Sequence, residues 1–295
     1  MEKLSVIIAR DAEHVPSKKL ARAILNQSLD KDCFELILVL FTDEEKEWIA
    51  FYEDLKHTVP ITIDVVTEGN RASLANQGLK RSNYSIVLFL ADDFVPCHDL
   101  FKLHLDAHRD SSNNKLIVFG PGISPAEQRD SSEFLCWLED SGQLFGVSFT
   151  KKEIISDYYF YMANASVWRD LINLAGGFNE KLKYNAGDDY ELGLRMKKLG
   201  AVSQFCPNAL AIHDHPLKEE ERYKQLYLAG FSAPLMSRSS FLQWLAFAKG
   251  LAKMVVFFLR HIVNRNDRGL LWRYKCQRVY MKGSADYFLR REKPV

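Results

Sequence analysis

Three short stretches of this 295-residue chain carry residue types that can do chemistry. The first is Asp92-Asp93, directly after the apolar run Ile86-Val87-Leu88-Phe89-Leu90 and before Pro96. The run reads as a buried strand, and carboxylates at the carboxyl end of such a strand lie where ligands bind in open α/β sheets. Two carboxylates there cost desolvation unless a cation or hydrogen-bonding ligand compensates, and a hard divalent metal carrying a phosphorylated ligand would do so. The competing reading is a solvated strand-to-loop turn, since Asp is common in turns. The second stretch is Asp188-Asp189-Tyr190-Glu191, at the start of an expected helix that ends at Gly200; here a plain helix N-terminus, favoured by the dipole, is the alternative to a catalytic pair. The third is the histidine-rich loop Ile212-His213-Asp214-His215-Pro216. Arg71 joins them as a fork suited to phosphate, against the reading of a solvated helix-start residue.

The elements that must position these groups alternate. Leu4–Ala9 is apolar and β-branched and predicts a first strand. Helices are expected over about 17–28, 43–56 and 70–82, and strands over Phe34–Phe41, Pro60–Val66 and Ile86–Leu90. Strand alternating with helix predicts a mostly parallel sheet with crossover helices. No GxGxxG follows the first strand, so a dinucleotide-binding reading loses its main support. Residues 120–165 are loop-rich, with a helix expected near Ser132–Asp140 and an aromatic run, Tyr158-Tyr159-Phe160-Tyr161, that suits either a sugar face or core packing. Gly176-Gly177 marks a tight turn after a helix.

Composition is that of an ordinary globular protein, with 47% hydrophobic and 26% charged residues. The net charge of +1 is unevenly placed: residues 241–295 hold 12 Lys/Arg and 3 Asp/Glu, hence +9, which leaves −8 for the rest. The five cysteines, Cys33, Cys97, Cys136, Cys206 and Cys276, are scattered and odd in number. That argues against a disulfide framework or zinc knuckle and fits a reducing compartment. The first apolar run is too short for a signal peptide. No stretch approaches about 18 uncharged apolar residues, so no membrane span is expected.

Taken in order, the first strand, Asn76-Gln77-Gly78, the strand ending in Asp92-Asp93, the turn Gly176-Gly177-Phe178-Asn179-Glu180, Asp188-Asp189-Tyr190-Glu191-Leu192 and the histidine loop resemble a family 2 glycosyltransferase of the GT-A fold, over roughly residues 4–220. The resemblance implies an inverting, hexosyltransferase-like enzyme using a nucleotide-diphospho-sugar and a divalent cation, Mn²⁺ or Mg²⁺. It implies Asp93 and His213 as metal ligands, with His215 as the alternative histidine. It implies Asp189 as general base beside Asp188, and Ala9, Asp43, Arg71 and Asp92 as donor-binding positions. Ala91 stands where the family's metal-binding DxD element has its first Asp, and Phe41-Thr42-Asp43 departs from the strand-ending Asp that helps recognise the base. Those departures support an alternative, a non-catalytic module of the same fold that binds a nucleotide sugar or a partner protein. A nucleotidyltransferase on a similar core is a third reading.

The expected organisation is a catalytic domain over 1–225, with a nucleotide-sugar half (1–119) and an acceptor half (120–225), and a basic helical tail over 226–295. In the tail, Lys249, Lys253 and Arg260 fall in a narrow helical arc opposite Trp244, Phe247, Leu251, Met254, Val255 and Phe258. That pattern fits a helix lying on an anionic membrane surface; docking on the catalytic domain is the alternative. No nucleic-acid-binding motif accompanies the charge. The expected setting is cytoplasmic, peripheral on the inner face of the plasma membrane, with a glycan or lipid-linked acceptor.

Overall fold

A computed structural model describes residues 2–9, 18–40, 52, 56–144, 153–155, 160–182, 186–236 and 239–289. Asp43, the helix expected over 43–56 apart from isolated residues, and Tyr158-Tyr159 lie outside the described residues. The chain divides into two compact units.

The first unit (1–131, 138–181 and 188–216) is an α/β body. Its strands are β1 (Leu4–Ala9), β2 (Phe34–Leu40), β3 (Ile61–Val65), β4 (Ile86–Leu90), β5 (Phe94–Pro96), β6 (Leu116–Phe119), β7 (Gly122–Ile123), β8 (Glu153–Ile155), β9 (Asn164–Trp168), β10 (Val202–Phe205) and β11 (Ala211–His213). Eight form one sheet in the order β3-β2-β1-β4-β9-β6-β10-β8. The β1–β2, β2–β3, β1–β4 and β6–β10 pairings are parallel, whereas β9 runs antiparallel to both neighbours and β8 antiparallel to β10. The sheet is therefore mostly parallel, as expected, with one inserted antiparallel strand in its centre.

Period-2 alternation sends side chains to two cores. From β1, Leu4, Val6 and Ile8 enter one core with helices α1 (Lys18–Leu25) and α3 (Leu100–Arg109), while Ile7 enters the other. Past the short helices α4 (Ala126–Asp130) and α5 (Glu133–Asp140) come α6 (Arg169–Ala175) and α7 (Asp188–Lys198), which with α2 (Arg71–Arg81) enter that second core. Gly78 lets α2 approach the sheet closely, because a Cβ there would stand 2.5 Å from Ile7 Cγ2. The start of α2 is set by Asn70, whose side chain accepts from the Ser73 N–H in a reciprocal capping box.

The inserted strand β9 buries polar side chains, and α3 satisfies them. His104 Nε2 lies 2.9 Å from Asn164 Oδ1, and Asn164 Nδ2 donates to the Ala209 carbonyl at 2.8 Å. The amide oxygen can only accept, so His104 carries its proton on Nε2 and its Nδ1 accepts from the Ser166 hydroxyl at 2.8 Å. Ser166 Oγ in turn accepts from His108 Nε2 at 2.9 Å. This directed chain requires His104 to be neutral, because its Nδ1 accepts, whereas His108 only donates to it. Burial keeps both uncharged, holding His104 down to about 4 and His108 down to about 3, the latter assisted by repulsion from His104.

The second unit (132–137, 182–187 and 217–295) is helical. It contains α8 (Glu219–Ser232), a 3-10 turn (Ala233–Met236), α9 (Ser240–Val263) and α10 (Arg268–Phe288). Gly230 and Gly283 let α8 and α10 pack backbone to backbone, since a Cβ on either would fall about 2 Å from a carbonyl oxygen (1.9 Å from Tyr280 and 2.0 Å from Tyr227). Ser284 Oγ donates to the Gly230 carbonyl at 2.8 Å across this contact. Phe134, Trp137, Tyr223 and Trp272 form an aromatic cluster, with Arg273 over the Trp137 ring at 6.0 Å. The helix α9, 24 residues long, is long and apolar enough to cross a bilayer by length and composition alone, although Lys249, Lys253 and Arg260 interrupt it.

A histidine held below its unfolded value of about 6.5 takes up a proton on unfolding. The stability from His104 and His108 is therefore full above about pH 6.5 and lost as pH falls towards about 4 and 3. Urea midpoints at pH 7, 6 and 5 are expected to drop by the equivalent of about 2 kcal/mol per histidine by pH 5, above the range of ordinary carboxylates. A His104→Gln/His108→Gln variant should flatten that dependence.

Candidate functional site

The carboxyl end of β4 organises the site. After Leu90 the chain leaves the large sheet, turns through Ala91-Asp92-Asp93, and enters β5 of a small second sheet ordered β5-β11-β7. Antiparallel pairing sets His213 opposite Phe94, and the Asp214 N–H donates to the Asp93 carbonyl at 2.8 Å. That register delivers the histidine loop to the carboxylate. His213 Nε2 lies 3.1 Å from Asp93 Oδ2, and one ligand atom each from Asp93, His213 and His215 falls within 4.8 Å of the others. His213 is buried, with its ring against Phe94; His215 and Asp93 are half-buried. Lys19 of α1 donates to Asp214 Oδ1 at 2.7 Å, beside the cluster.

One carboxylate and two imidazoles can hold a divalent ion while leaving positions open for diphosphate oxygens and water. The mixed nitrogen and oxygen set suits Mn²⁺ better than Mg²⁺, which prefers oxygen throughout. Asp92 is half-buried in the same turn, and Ala9 ends β1 beside Val39 at the same edge of the sheet.

A second cluster gathers at the start of α7. Asp188 is buried, and Arg71, the first residue of α2, grips it bidentately through Nε (3.1 Å to Oδ2) and Nη2 (to Oδ1). Burial alone would raise the Asp188 carboxyl, but the facing guanidinium outweighs it and holds the group below the ordinary carboxylate range. Asp189 goes the other way: burial, then the adjacent Asp188 charge, raise it. The Tyr190 N–H donates to Asp189 Oδ1 at 2.8 Å, and the Met162 N–H reaches Oδ2 at 3.4 Å. Ala163, next along, accepts from the Ala91 N–H at 3.0 Å, so both clusters sit over the end of β4.

Two groups that sequence reasoning named only as markers have supporting roles. Asn76 donates through Nδ2 to the Phe178 carbonyl (3.0 Å) and accepts from the Phe178 N–H (2.8 Å), fixing the turn that leads towards Asp188. Gly176 and Gly177 supply left-handed backbone there, at φ 88° and 71°. The described part of the aromatic run packs inward: Phe160 is buried against Phe89 and Phe178, and the Tyr161 hydroxyl donates to the Gly120 carbonyl. The Arg71–Asp188 pair had no signal in the sequence, because 117 residues separate the partners.

With this geometry in view, solved structures place the architecture. The mannosyltransferase PcManGT from Pyrobaculum calidifontis, in complex with GDP-Man and Mn²⁺, superposes with a TM-score of 0.65 at 15% identity, over 99% of this chain and 88% of that one. The fold is that of the GT-A glycosyltransferases. S. aureus TarS 1–349 superposes with a TM-score of 0.56 at 13% identity, over 98% and 92% of the two chains. GalNAc-T7 with UDP, GalNAc and Mn²⁺ gives 0.53 at 11% identity over 77% and 47%. No protein-family profile matches the sequence, and no curated protein matches it.

Mn²⁺ is expected to bind the purified protein more tightly than Mg²⁺, read by electron paramagnetic resonance of free Mn²⁺. Asp93→Ala and His213→Ala should each weaken Mn²⁺ by more than the roughly 10–100-fold typical of an outer-shell loss.

Proposed function

We propose that this chain is a metal-dependent, inverting glycosyltransferase of the family 2 type. It moves a hexosyl group from a nucleotide-diphospho-sugar to a hydroxyl of a glycan or lipid-linked acceptor in cell-surface polysaccharide synthesis, at the cytoplasmic face of the plasma membrane. The observation that carries the reading is the convergence of Asp93, His213 and His215 with Asp189 over one strand end of a GT-A fold. PcManGT was solved with GDP-Man and Mn²⁺ and GalNAc-T7 with UDP and Mn²⁺, which supports the same donor chemistry here.

Asp93, His213 and His215 would hold the cation and, through it, the diphosphate. The cation, when bound, compensates the charge that builds on the leaving group. Asp189 takes the proton from the acceptor hydroxyl as that oxygen bonds to the anomeric carbon. The bond from that carbon to the diphosphate oxygen breaks, and the nucleoside diphosphate leaves with the electron pair. A carboxylate of raised proton affinity is the better base for this step. Asp188, kept ionised by Arg71, sustains that affinity. Ala9, Asp43, Arg71 and Asp92 belong to the donor side, Arg71 acting there from its anchor on Asp188.

Thermal unfolding against UDP, dTDP, GDP and CMP, each with and without Mn²⁺, tests the donor site, because a ligand of the native state raises the midpoint. One diphosphate is expected to shift it in a manganese-dependent way; no shift with any of them returns the chain to the non-catalytic reading.

Asp189→Asn should lower turnover about 10²–10⁴-fold while keeping the donor-induced shift. Activity needs ionised Asp189, so kcat/KM should fall as pH drops through its raised pKa. Asp188→Asn removes the repelling anion and is expected to move that acid limb to lower pH; an unmoved limb would remove Asp188 from this role.

A further inference from the structure

We propose that α9 lies in the plane of an anionic lipid bilayer, inserted by one face to the depth of the headgroups, and does not cross it. This deepens the membrane placement proposed above and rests on it.

The helix has three faces. Gln243, Phe247, Gly250, Met254, Phe257 and His261 are partly covered and recur at the spacing of one stripe. They face α10: Gln277 Nε2 donates to the Gly250 carbonyl at 3.3 Å, and a Cβ on Gly250 would stand 2.4 Å from Met281 Sδ. Trp244 stacks on Phe288 at 4.4 Å and Phe258 meets Tyr274 at 5.2 Å, so the two helices form an antiparallel hairpin. Two residues that periodicity placed on the outer face, Phe247 and Met254, therefore belong to the hairpin contact.

The second face is apolar and open. Phe241 is 74% exposed, Leu259 55% and Trp244 55%, with Leu245, Leu251, Val255, Val256 and Ile262 exposed between them. At about 100° per residue this face covers roughly 140° of the circumference. A face so wide on one helix exceeds the scattered apolar residues normal to a protein surface. The third face is the exposed stripe of Lys249, Lys253 and Arg260, lying between the other two.

Charge and packing choose the orientation. Were α9 to span, Lys249 and Lys253 would sit near the bilayer centre, where cations are costly. The helix packed along it carries Arg268, Arg273, Lys275, Arg278 and Lys282 and would be drawn into the hydrocarbon as well. In the plane, the apolar face enters the acyl boundary, the stripe reaches the headgroups and α10 stays in water. The excess positive charge of residues 241–295 selects an anionic surface over a neutral one.

The test uses the full chain with vesicles of phosphatidylglycerol and phosphatidylcholine (1:1) or of phosphatidylcholine alone. Binding by sedimentation is expected to favour the anionic vesicles by about tenfold or more, to weaken with salt, and to be reversed by alkaline carbonate. Lys249→Gln/Lys253→Gln, a surface change that leaves folding intact, should lower anionic binding by about thirtyfold and leave neutral binding unchanged. Leu251→Asp/Val255→Asp should abolish both, with helicity checked by circular dichroism.

Binding that resists carbonate, with a protease-protected fragment containing 240–263, would overturn the in-plane orientation and leave the membrane placement standing. No binding to either vesicle overturns both. Self-association in solution that the Leu251→Asp/Val255→Asp variant abolishes, without vesicle binding, would assign the face to a second copy instead.

Discussion

A strand in the middle of this sheet carries buried polar groups, and each must find a partner inside the protein. Asn164 and Ser166 of β9 are fully enclosed between β4 and β6. The demand is met by His104 and His108 on one side and by the Ala209 carbonyl on the other. Ala209 stands two residues before β11, so the same chain of hydrogen bonds that satisfies β9 locates the strand bearing His213. Residues just before β9 complete the arrangement, since Ala163 bonds the backbone ahead of Asp92 and Met162 meets Asp189. One buried polar network thereby sets the level of both carboxylate clusters.

The two clusters divide the chemistry by charge. Around Asp93 two imidazoles give a ligating environment with open positions. Around Asp189 the neighbours are an anion and its counterion, and the outcome is two carboxylates with opposite tendencies. Adjacent acids whose environments push their proton affinities apart are a recurring sign of separate roles. Here the cause is local: Arg71 reaches Asp188 bidentately, while at Asp189 burial and the Asp188 charge outweigh the weaker pull of the same guanidinium.

The helical unit follows a different logic. Close glycine contacts join α8 to α10, and α10 in turn carries α9. Each step is satisfied within the unit except the outer face of α9. A helix anchored along one stripe and apolar on the other presents the face that the proposed bilayer contact would cover.

Much of the fold was legible from pattern alone. The β1, β2, β3 and β4 runs, the helix expected over about 70–82 and the Gly176-Gly177 turn all follow from periodicity and backbone freedom, which act over a few residues. The chemical residues Asp92, Asp93, Asp188, Asp189, His213 and His215 were visible as types in order. Tertiary structure alone decided their pairings. The Arg71–Asp188 contact, the neutral His104–His108 chain, the antiparallel placement of β9 and the turning of Phe247 and Met254 towards α10 join positions distant in sequence or choose among faces of equal hydrophobicity. Periodicity states that a side chain will be buried; only the packed neighbours determine against what, because burial energy has no direction and hydrogen bonds do.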